Sequence, residues 1–457
     1  MLKQYPKYKP SGNDLIGDIP EHWNIKKLKF LLKPIKGSLK PGPFGSDLKN
    51  SDFSTIGEIK VYTQRNIIEN NFELGEDYIS NEKFNKLSVF EIFENDIIIT
   101  SRGTIGKASK FPKGVQRGII HPCLIKLQIN TDKISNDFLI KYFNDAVFFK
   151  EDVKISSNST VIDVIYGNTL KEINIFVPPI DEQIKIVEFI NKKTALIDSF
   201  IEKKQKLIEL LKEERTAVIN QAVTKGLPSP SGEGQGVRFK PSGIDWLGDI
   251  PEHWEVKKLK YVAEIQSSNV DKKTNEGEIS VLLCNYIDVY KNEFINDSIL
   301  FMEASATEKE IEKFILNKGD VLITKDSETP DDIAKPAYVE KDFENVICGY
   351  HLAQIKTNRH DMFGEYLFRL FQSKDFNSHF EVSANGVTRF GLPLDSITDV
   401  IVPLPLKAEQ KQIVNHIENE TQKIDSTITK IEKEIELMQE YRTALISEVV
   451  TGKVKVV

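Results

Sequence analysis

One long helical pattern occurs twice, and it leaves the chain few ways to fold. Residues 181–224 lie on residues 408–451 with a shift of 227 (408 − 181). Glu182 and Gln183 fall on Glu409 and Gln410, and Arg215-Thr-Ala falls on Arg442-Thr-Ala. In the second copy a strict 4-3 alternation runs through Ile417, Thr421, Ile424, Ile428, Ile431, Ile435, Met438, Arg442, Leu445 and Val449. The matching positions of the first copy are Ile190, Thr194, Ile197, Ile201, Lys204, Ile208, Leu211, Arg215, Val218 and Ala222. Apolar residues sustained at this period form the seam of a coiled coil. The same polar residues, Thr and Arg, interrupt the seam at the same places in both copies, and such interruptions set register at some cost in stability. A single helix of this kind could pack on any globular core; two with matched interruptions predict that they pair with each other. At 1.5 Å per residue each helix is roughly 65 Å long, enough to act as a spacer.

A second repeat precedes each helix. Gly-Asp-Ile-Pro-Glu-His-Trp at 17–23 returns at 248–254, a shift of 231 (248 − 17). The halves therefore share one order: short motif, variable region, Pro-rich break, long helix. The drop from 231 to 227 makes the second variable region four residues shorter. Repetition at the ends with divergence between them predicts one scaffold carrying two different inserts. The reading divides the chain into a first variable domain over 1–180, a helix over 181–226, a Gly/Pro/Ser-rich flexible linker over 227–238, a second variable domain over 239–407 and a helix over 408–457. The short connection favours antiparallel helices. Strands are predicted at 97–100, 124–129 and 174–177, with an amphipathic helix over 138–150. In the second half, 319–324 mirrors 94–100, a helix covers 363–371, and a last strand at 400–402 ends at Pro403. Each insert is a mixed α/β domain of about 150 residues, enough to bury its own core. The fold class is mixed α/β: two such domains joined by two long antiparallel coiled-coil helices, as a pseudo-two-fold internal repeat.

Charge and chemistry narrow the function. The net charge is −7, which suits no generic nucleic-acid coat. The balance differs between inserts: 22 basic and 18 acidic residues over 24–180, against 18 and 26 over 255–407. A DNA-reading surface needs a local basic stripe rather than a basic whole, and the second insert is the poorer fit. No apolar run is long enough to span a membrane, and the lysine-rich start lacks the apolar core of a signal peptide, so a cytoplasmic location is expected. Cys123, Cys284 and Cys348 are scattered, which predicts reduced thiols and no metal site. Gly103-Thr-Ile-Gly-Lys107 resembles a phosphate loop only superficially: Ser101 stands where its first glycine belongs and Ala108 where its hydroxyl belongs. The single Pro-Pro, at 178–179, lacks the flanking Asn or Asp and aromatic residue of an amino-methyltransferase loop. His22 and His253 belong to the repeated motif and read as structural. No catalytic residue is assigned, and no cofactor is expected on this chain.

What remains is a set of polar loops at matching places. Ser101, Arg102, Thr104 and Lys107 follow a strand; Arg can bond guanine through O6 and N7 together. The same glycines would equally serve a plain hairpin turn. The second insert carries Lys325, Asp326 and Ser327 there. Asn158, Ser159 and Thr160 align with Asn385, Thr388 and Arg389, and Gln64 and Arg65 stand opposite Asn285. Amide and hydroxyl side chains suit base edges, while Lys and Arg suit phosphates.

With these residues in place the chain resembles the specificity subunit of a type I restriction-modification system. The resemblance is carried by the repeated 17–23 motif, by Phe-Val-Pro-Pro-Ile-Asp-Glu-Gln at 176–183 with the helix ending Arg215-Thr-Ala, by 402–405 with Glu409 and Gln410, and by Gly-Val-Thr-Arg-Phe-Gly-Leu at 386–392. It covers essentially the whole chain. It implies that each variable region is a target-recognition domain reading one half of a split, asymmetric double-stranded DNA sequence. It implies helices that set the spacing and dock two modification (methyltransferase) subunits, with restriction (translocase/endonuclease) subunits joining them. S-adenosylmethionine, ATP and Mg would then sit on partner subunits. Lys325 and Asp326 depart from the family pattern. A reading from another class also fits the acidic second insert: a coiled-coil scaffold whose two α/β domains bind proteins and not DNA.

Overall fold

Pro-rich breaks start both long helices and glycines end them. The computed structural model describes residues 3–14, 16–145, 164–227, 238–358 and 360–456. The first long helix is Ile180–Lys225 and the second is Lys407–Val450. Gly226 and Gly452 follow their ends with φ of +82° and +75°, the left-handed conformation that closes a helix. A side chain at Gly452 would put its Cβ 2.4 Å from Pro20, so conformation and space both call for glycine. The expected linker lies, for 228–237, outside the described residues.

The chain divides into two compact units, residues 1–204 with 433–457, and residues 205–432. Each contains part of both long helices. Every seam position named above is buried or half-buried. In the first unit Arg442 Nε donates to Asp198 Oδ1 at 3.0 Å, and Lys204 pairs with Glu434. In the second unit Arg215 Nε donates to Asp425 Oδ1 at 3.1 Å. Arg442 is Arg215 shifted by 227, and Asp425 is Asp198 shifted by the same 227, so the two pairs are one contact made twice. A late residue of one helix meeting an early residue of the other makes the pairing antiparallel within each unit. Thr194 and Thr421 turn their hydroxyls back onto their own helix, to the carbonyls of Asn191 and Glu418. The polar interruptions are thus satisfied without opening the seam.

The repeated short motif holds the first turn of each helix. Trp23 Nε1 donates to Glu182 at 3.1 Å, His22 Nε2 lies 2.9 Å from the other oxygen, and the Tyr5 hydroxyl also donates to Glu182. In the second unit Trp254 and His253 meet Glu409 at 3.0 and 2.8 Å. A carboxylate in a first helical turn is further favoured by the helix dipole. Gln183 and Gln410 are fully buried. Each accepts a backbone N–H from the domain, from Ser135 and Phe363, and donates to carbonyls on both sides, including Pro178 and Pro405. His22 and His253 therefore serve structure, as the sequence suggests.

The two domains repeat one topology. In the first, Asn24–Lys27 pairs with Asn174–Val177, and a four-stranded antiparallel sheet runs Leu39–Pro41, Leu124–Leu127, Ile97–Thr100, Ala108–Lys110. A three-stranded sheet places Ile59–Tyr62 between Tyr78–Ile79 and Gly118–Ile120. In the second, Glu255–Lys258 pairs with Ile401–Leu404, and the larger sheet runs Ala263–Ser267, Leu352–Thr357, Val321–Thr324, Pro336–Val339, Phe294–Ile295. Ile279–Cys284 takes the central place of the smaller sheet. The strands at 97–100 and 174–177 fall where the runs of branched and aromatic residues place them. Pro403 does not stop the last strand: it sits inside Ile401–Leu404 opposite Val256. A two-stranded ribbon has an open side where a proline's missing N–H costs nothing. The helix expected over 138–150 is Asn136–Asp145, and the remainder of that span lies outside the described residues.

Candidate nucleic-acid interface

In the first domain the buried strand Ile97–Thr100 delivers the chain to an exposed turn. Thr100 N–H donates to the Lys107 carbonyl at 2.8 Å, and Lys107 N–H donates to Thr100 Oγ1 at 2.9 Å. Gly103 and Gly106 take φ of +67° and +78° inside the turn. Gln64 pins it from outside, with Nε2 donating to the carbonyls of Arg102 and Thr104 at 2.8 and 3.2 Å. Gln64 opens the helix Gln64–Ile68, whose cap is Thr63; Thr63 N–H donates to Asn66 Oδ1 at 2.8 Å. The Gln64 amide is thus spent on shaping the loop, while Arg102 and Thr104 are exposed. Arg102 is exposed and makes no salt bridge among the described residues, and its guanidinium carries five donors.

Ser101 is buried. With Arg102 it borders a cleft of about 440 Å3 whose walls include Phe44, Phe90 and Tyr166. Phe44 is 81 % exposed and Tyr166 64 %, leaving two aromatic faces on the cleft that Arg102 borders. Lys107 lies apart, in a separate cleft with Asn70, Asp137 and Lys141. Arg65 is exposed and bonded to Glu69 at 2.8 Å. Burial pushes the His121 imidazole below its ordinary value; Asp77 opposes the shift and Arg102 adds to it. Asn158, Ser159 and Thr160 lie outside the described residues.

The second domain builds the same turn with other chemistry. Thr324 N–H donates to the Lys335 carbonyl at 3.1 Å, and Lys335 N–H to Thr324 Oγ1 at 3.0 Å, so Lys335 stands where Lys107 stands. Ser101 N–H donates to the Cys123 carbonyl and Lys325 N–H to the His351 carbonyl, which equates Ser101 with Lys325 and Arg102 with Asp326. The next strand contact agrees: Arg102 bridges Val164 as Asp326 pairs with Gly391. Lys325 points inward, its Nζ donating to Ser267 Oγ at 2.6 Å beneath the Tyr350 ring. Asn285 is a helix cap, accepting from Ile287 N–H at 3.0 Å in a capping box completed by Asp288.

Ser327, Asn385, Thr388 and Arg389 come together. Asn385–Gly386 and Phe390–Gly391 form a hairpin with Thr388 and Arg389 exposed at its tip, and Asp326–Ser327 adds a third strand. Ser327, Thr388 and Arg389 border a cleft of about 810 Å3 with Tyr286, Tyr290 and Asp332. Tyr286 and Tyr290 stack at 5.6 Å and 15°. Tyr290 donates to Asp332 at 2.6 Å. Burial raises the Tyr286 phenol above its usual value, with Asp332 adding to the shift and a bond to Ser327 opposing it. Sequence reading missed this tyrosine pair. The available signal was the i, i+4 spacing of two aromatic residues directly after a capping asparagine. Among the described residues no group of three His, Cys, Asp or Glu converges as metal ligands, and no helix is long and apolar enough to cross a membrane.

Comparison with known proteins gives consistent matches. The family model described as the type I restriction modification DNA specificity domain matches twice, over residues 20–211 and 251–437. The MjaVIII specificity subunit of Methanocaldococcus jannaschii is 24 % identical, across 96 % of this chain and 94 % of its own. The EcoKI specificity subunit of Escherichia coli K12 is 21 % identical, across 88 % and 82 %. Among solved structures, the HsdS subunit from Thermoanaerobacter tengcongensis aligns with a TM-score of 0.55 at 14 % identity, covering 95 % of this chain and 98 % of that one. A chain from work on complex assembly and conformational transition of the type I R-M system aligns at 0.68 and 13 % identity, covering 95 % and 99 %.

Proposed function

This chain belongs to the type I restriction-modification DNA specificity family, and we propose that each of its two α/β domains reads one half of a bipartite, asymmetric DNA target. It is the address-giving, non-catalytic subunit of a methyltransferase and endonuclease complex. The observation that carries the bipartite reading is the pair of equivalent turns at 100–107 and 324–335, built with one hydrogen-bond pattern and unlike exposed side chains. One frame with two different reading edges suits a target whose halves differ. Arg102 supports direct readout in the first domain, and the hairpin tip at Thr388 and Arg389 supports it in the second.

The paired helices would set the gap between half-sites, because a helix holds its length where a linker does not. They would also dock two modification subunits. In the first unit Leu196, Phe200, Leu437 and Tyr441 stay 49 %, 53 %, 51 % and 54 % exposed beside the seam, an apolar surface suited to that contact. Restriction subunits would join through the modification subunits. S-adenosylmethionine, ATP and Mg would be held by those partners, and the complex would work in the cytoplasm, where the chromosome is.

The test is selection of bound duplexes from a randomised DNA pool by the assembled methyltransferase complex. Two short unlike blocks at one fixed gap are expected, with binding that weakens steeply as salt rises. A single contiguous block, or no sequence preference, would overturn the bipartite reading.

A further inference from the structure

Arg102 and Asp326 occupy the same place in the two domains with opposite charge. We propose that Asp326 is a specificity-determining residue of the second domain, accepting a hydrogen bond from the exocyclic amino group of a cytosine, where Arg102 donates to guanine. This rests on the reading above that both turns meet base edges.

A carboxylate at a DNA-facing turn is repelled by phosphate, so it is useful only against a base edge that donates. Cytosine N4 is the major-groove donor that Asp and Glu recognise. The surroundings of Asp326 aim it for that use. His351 Nδ1 holds Asp326 Oδ2. His351 itself takes φ +73°, a left-handed conformation that a non-glycine residue keeps only where its surroundings enforce it. The other oxygen, Oδ1, lies beside Gly391, where an added Cβ would come within 3.3 Å, so glycine puts no side chain against it. Arg389, with Nη2 3.5 Å from His351 Nδ1, and Thr388 flank the site as donors for the backbone. No metal explains the carboxylates here, since no ligand-like group of three converges among the described residues. The acidic balance of the second insert then matches a reading edge that offers acceptors.

The test repeats the duplex selection with three variants of the assembled complex. Asp326→Asn keeps shape and loses the anionic acceptor. It should relax cytosine preference at one position of one half-site by roughly 5- to 150-fold, with the other half-site unchanged. Arg102→Gln should relax one position of the opposite half-site. His351→Asn tolerates the backbone and frees Asp326, and should partly relax the same position as Asp326→Asn, which covers an Asn variant that fails to assemble. Unchanged half-sites in Asp326→Asn beside a relaxed one in Arg102→Gln would overturn the role of Asp326 and leave the bipartite reading standing. Tighter binding of all duplexes alike in Asp326→Asn, with no single position relaxed, would mark a general electrostatic effect and overturn the proposal too. No response to either the Asp326 or the Arg102 variant would take down the turn-based reading as well.

Discussion

Removing the charge of Glu293 should strand a buried cation, and the size of the effect can be bounded. The Arg369 side chain is 4 % exposed and lies against the rings of Phe368 and Phe294, 5.0 and 5.7 Å from their centroids. Its carboxylate neighbours are Glu293 at 3.7 Å and Glu418 at 4.0 Å. Burial lowers its affinity for the proton, and those two carboxylates oppose the shift. Glu293 also accepts twice from Arg215 Nη2, at 2.9 and 3.0 Å, tying the first long helix to the second domain. Breaking a buried pair costs about 3–5 kcal/mol. Here Glu418, two ring faces and the Gln372 Oε1 that accepts from Arg369 Nη1 at 2.9 Å remain, and Glu293 is 41 % exposed, so solvent screens part of the loss. Glu293→Gln should therefore cost about 2 kcal/mol. Arg369→Met removes the cation together with its burial cost and fills similar space, so it should cost about 1 kcal/mol or less. The double variant should stay near Arg369→Met, a coupling of about 2 kcal/mol. Thermal melting of the full chain reads this as a fall of roughly 4–8 °C for Glu293→Gln, at about 2–4 °C per kcal/mol. A Glu293→Gln melt within a degree of the parent, or simple addition of the two single losses, would refute the buried-cation reasoning.

Adding one whole heptad to each long helix at paired positions should keep the seam and lengthen it by about 10.5 Å, which is about three base pairs at 3.4 Å. Sequencing of selected duplexes should show a longer gap between unchanged half-sites; an unchanged gap would remove the spacer role. Glu409→Ala should cost about 2 kcal/mol by leaving the Trp254 indole N–H without its charged acceptor, while Glu409→Gln should cost less, as urea unfolding would show. His121 and His379 are both held below the ordinary imidazole value by burial. A depressed folded value gives stability that is full above about pH 6.5 and lost as pH falls through the folded values. Melting between pH 7 and pH 5 should fall less steeply in a His121→Asn, His379→Gln double variant; equal slopes would contradict this.

Features with a period were legible in the sequence. The seam was readable because burial at 3.5-residue spacing leaves a mark on composition, and the matched Arg215 and Arg442 proved to mark one contact made twice. The strand at 97–100 was readable because four branched residues in a row suit a strand buried on both faces. The candidate interface was less legible, because it is assembled across sequence distance. That Gln64 would be spent on the carbonyls of Arg102 and Thr104, or that Lys325 would turn inward to Ser267, depends on neighbours 38 and 58 positions away. Asn285 looked like a base-contacting amide, yet an asparagine just before a helix is equally a cap, and spacing alone does not separate the two uses. The Tyr286 and Tyr290 pair was not legible, because spacing four apart alone does not separate a surface stack from a core-facing pair.

The most direct measurement is base methylation across the genome of cells carrying this chain with its methyltransferase partner, against cells lacking only this chain. An address-giving subunit yields a split, asymmetric methylated motif with one gap that vanishes with the chain. The same motif persisting without the chain, with the methyltransferase active, would contradict its role as the source of sequence specificity.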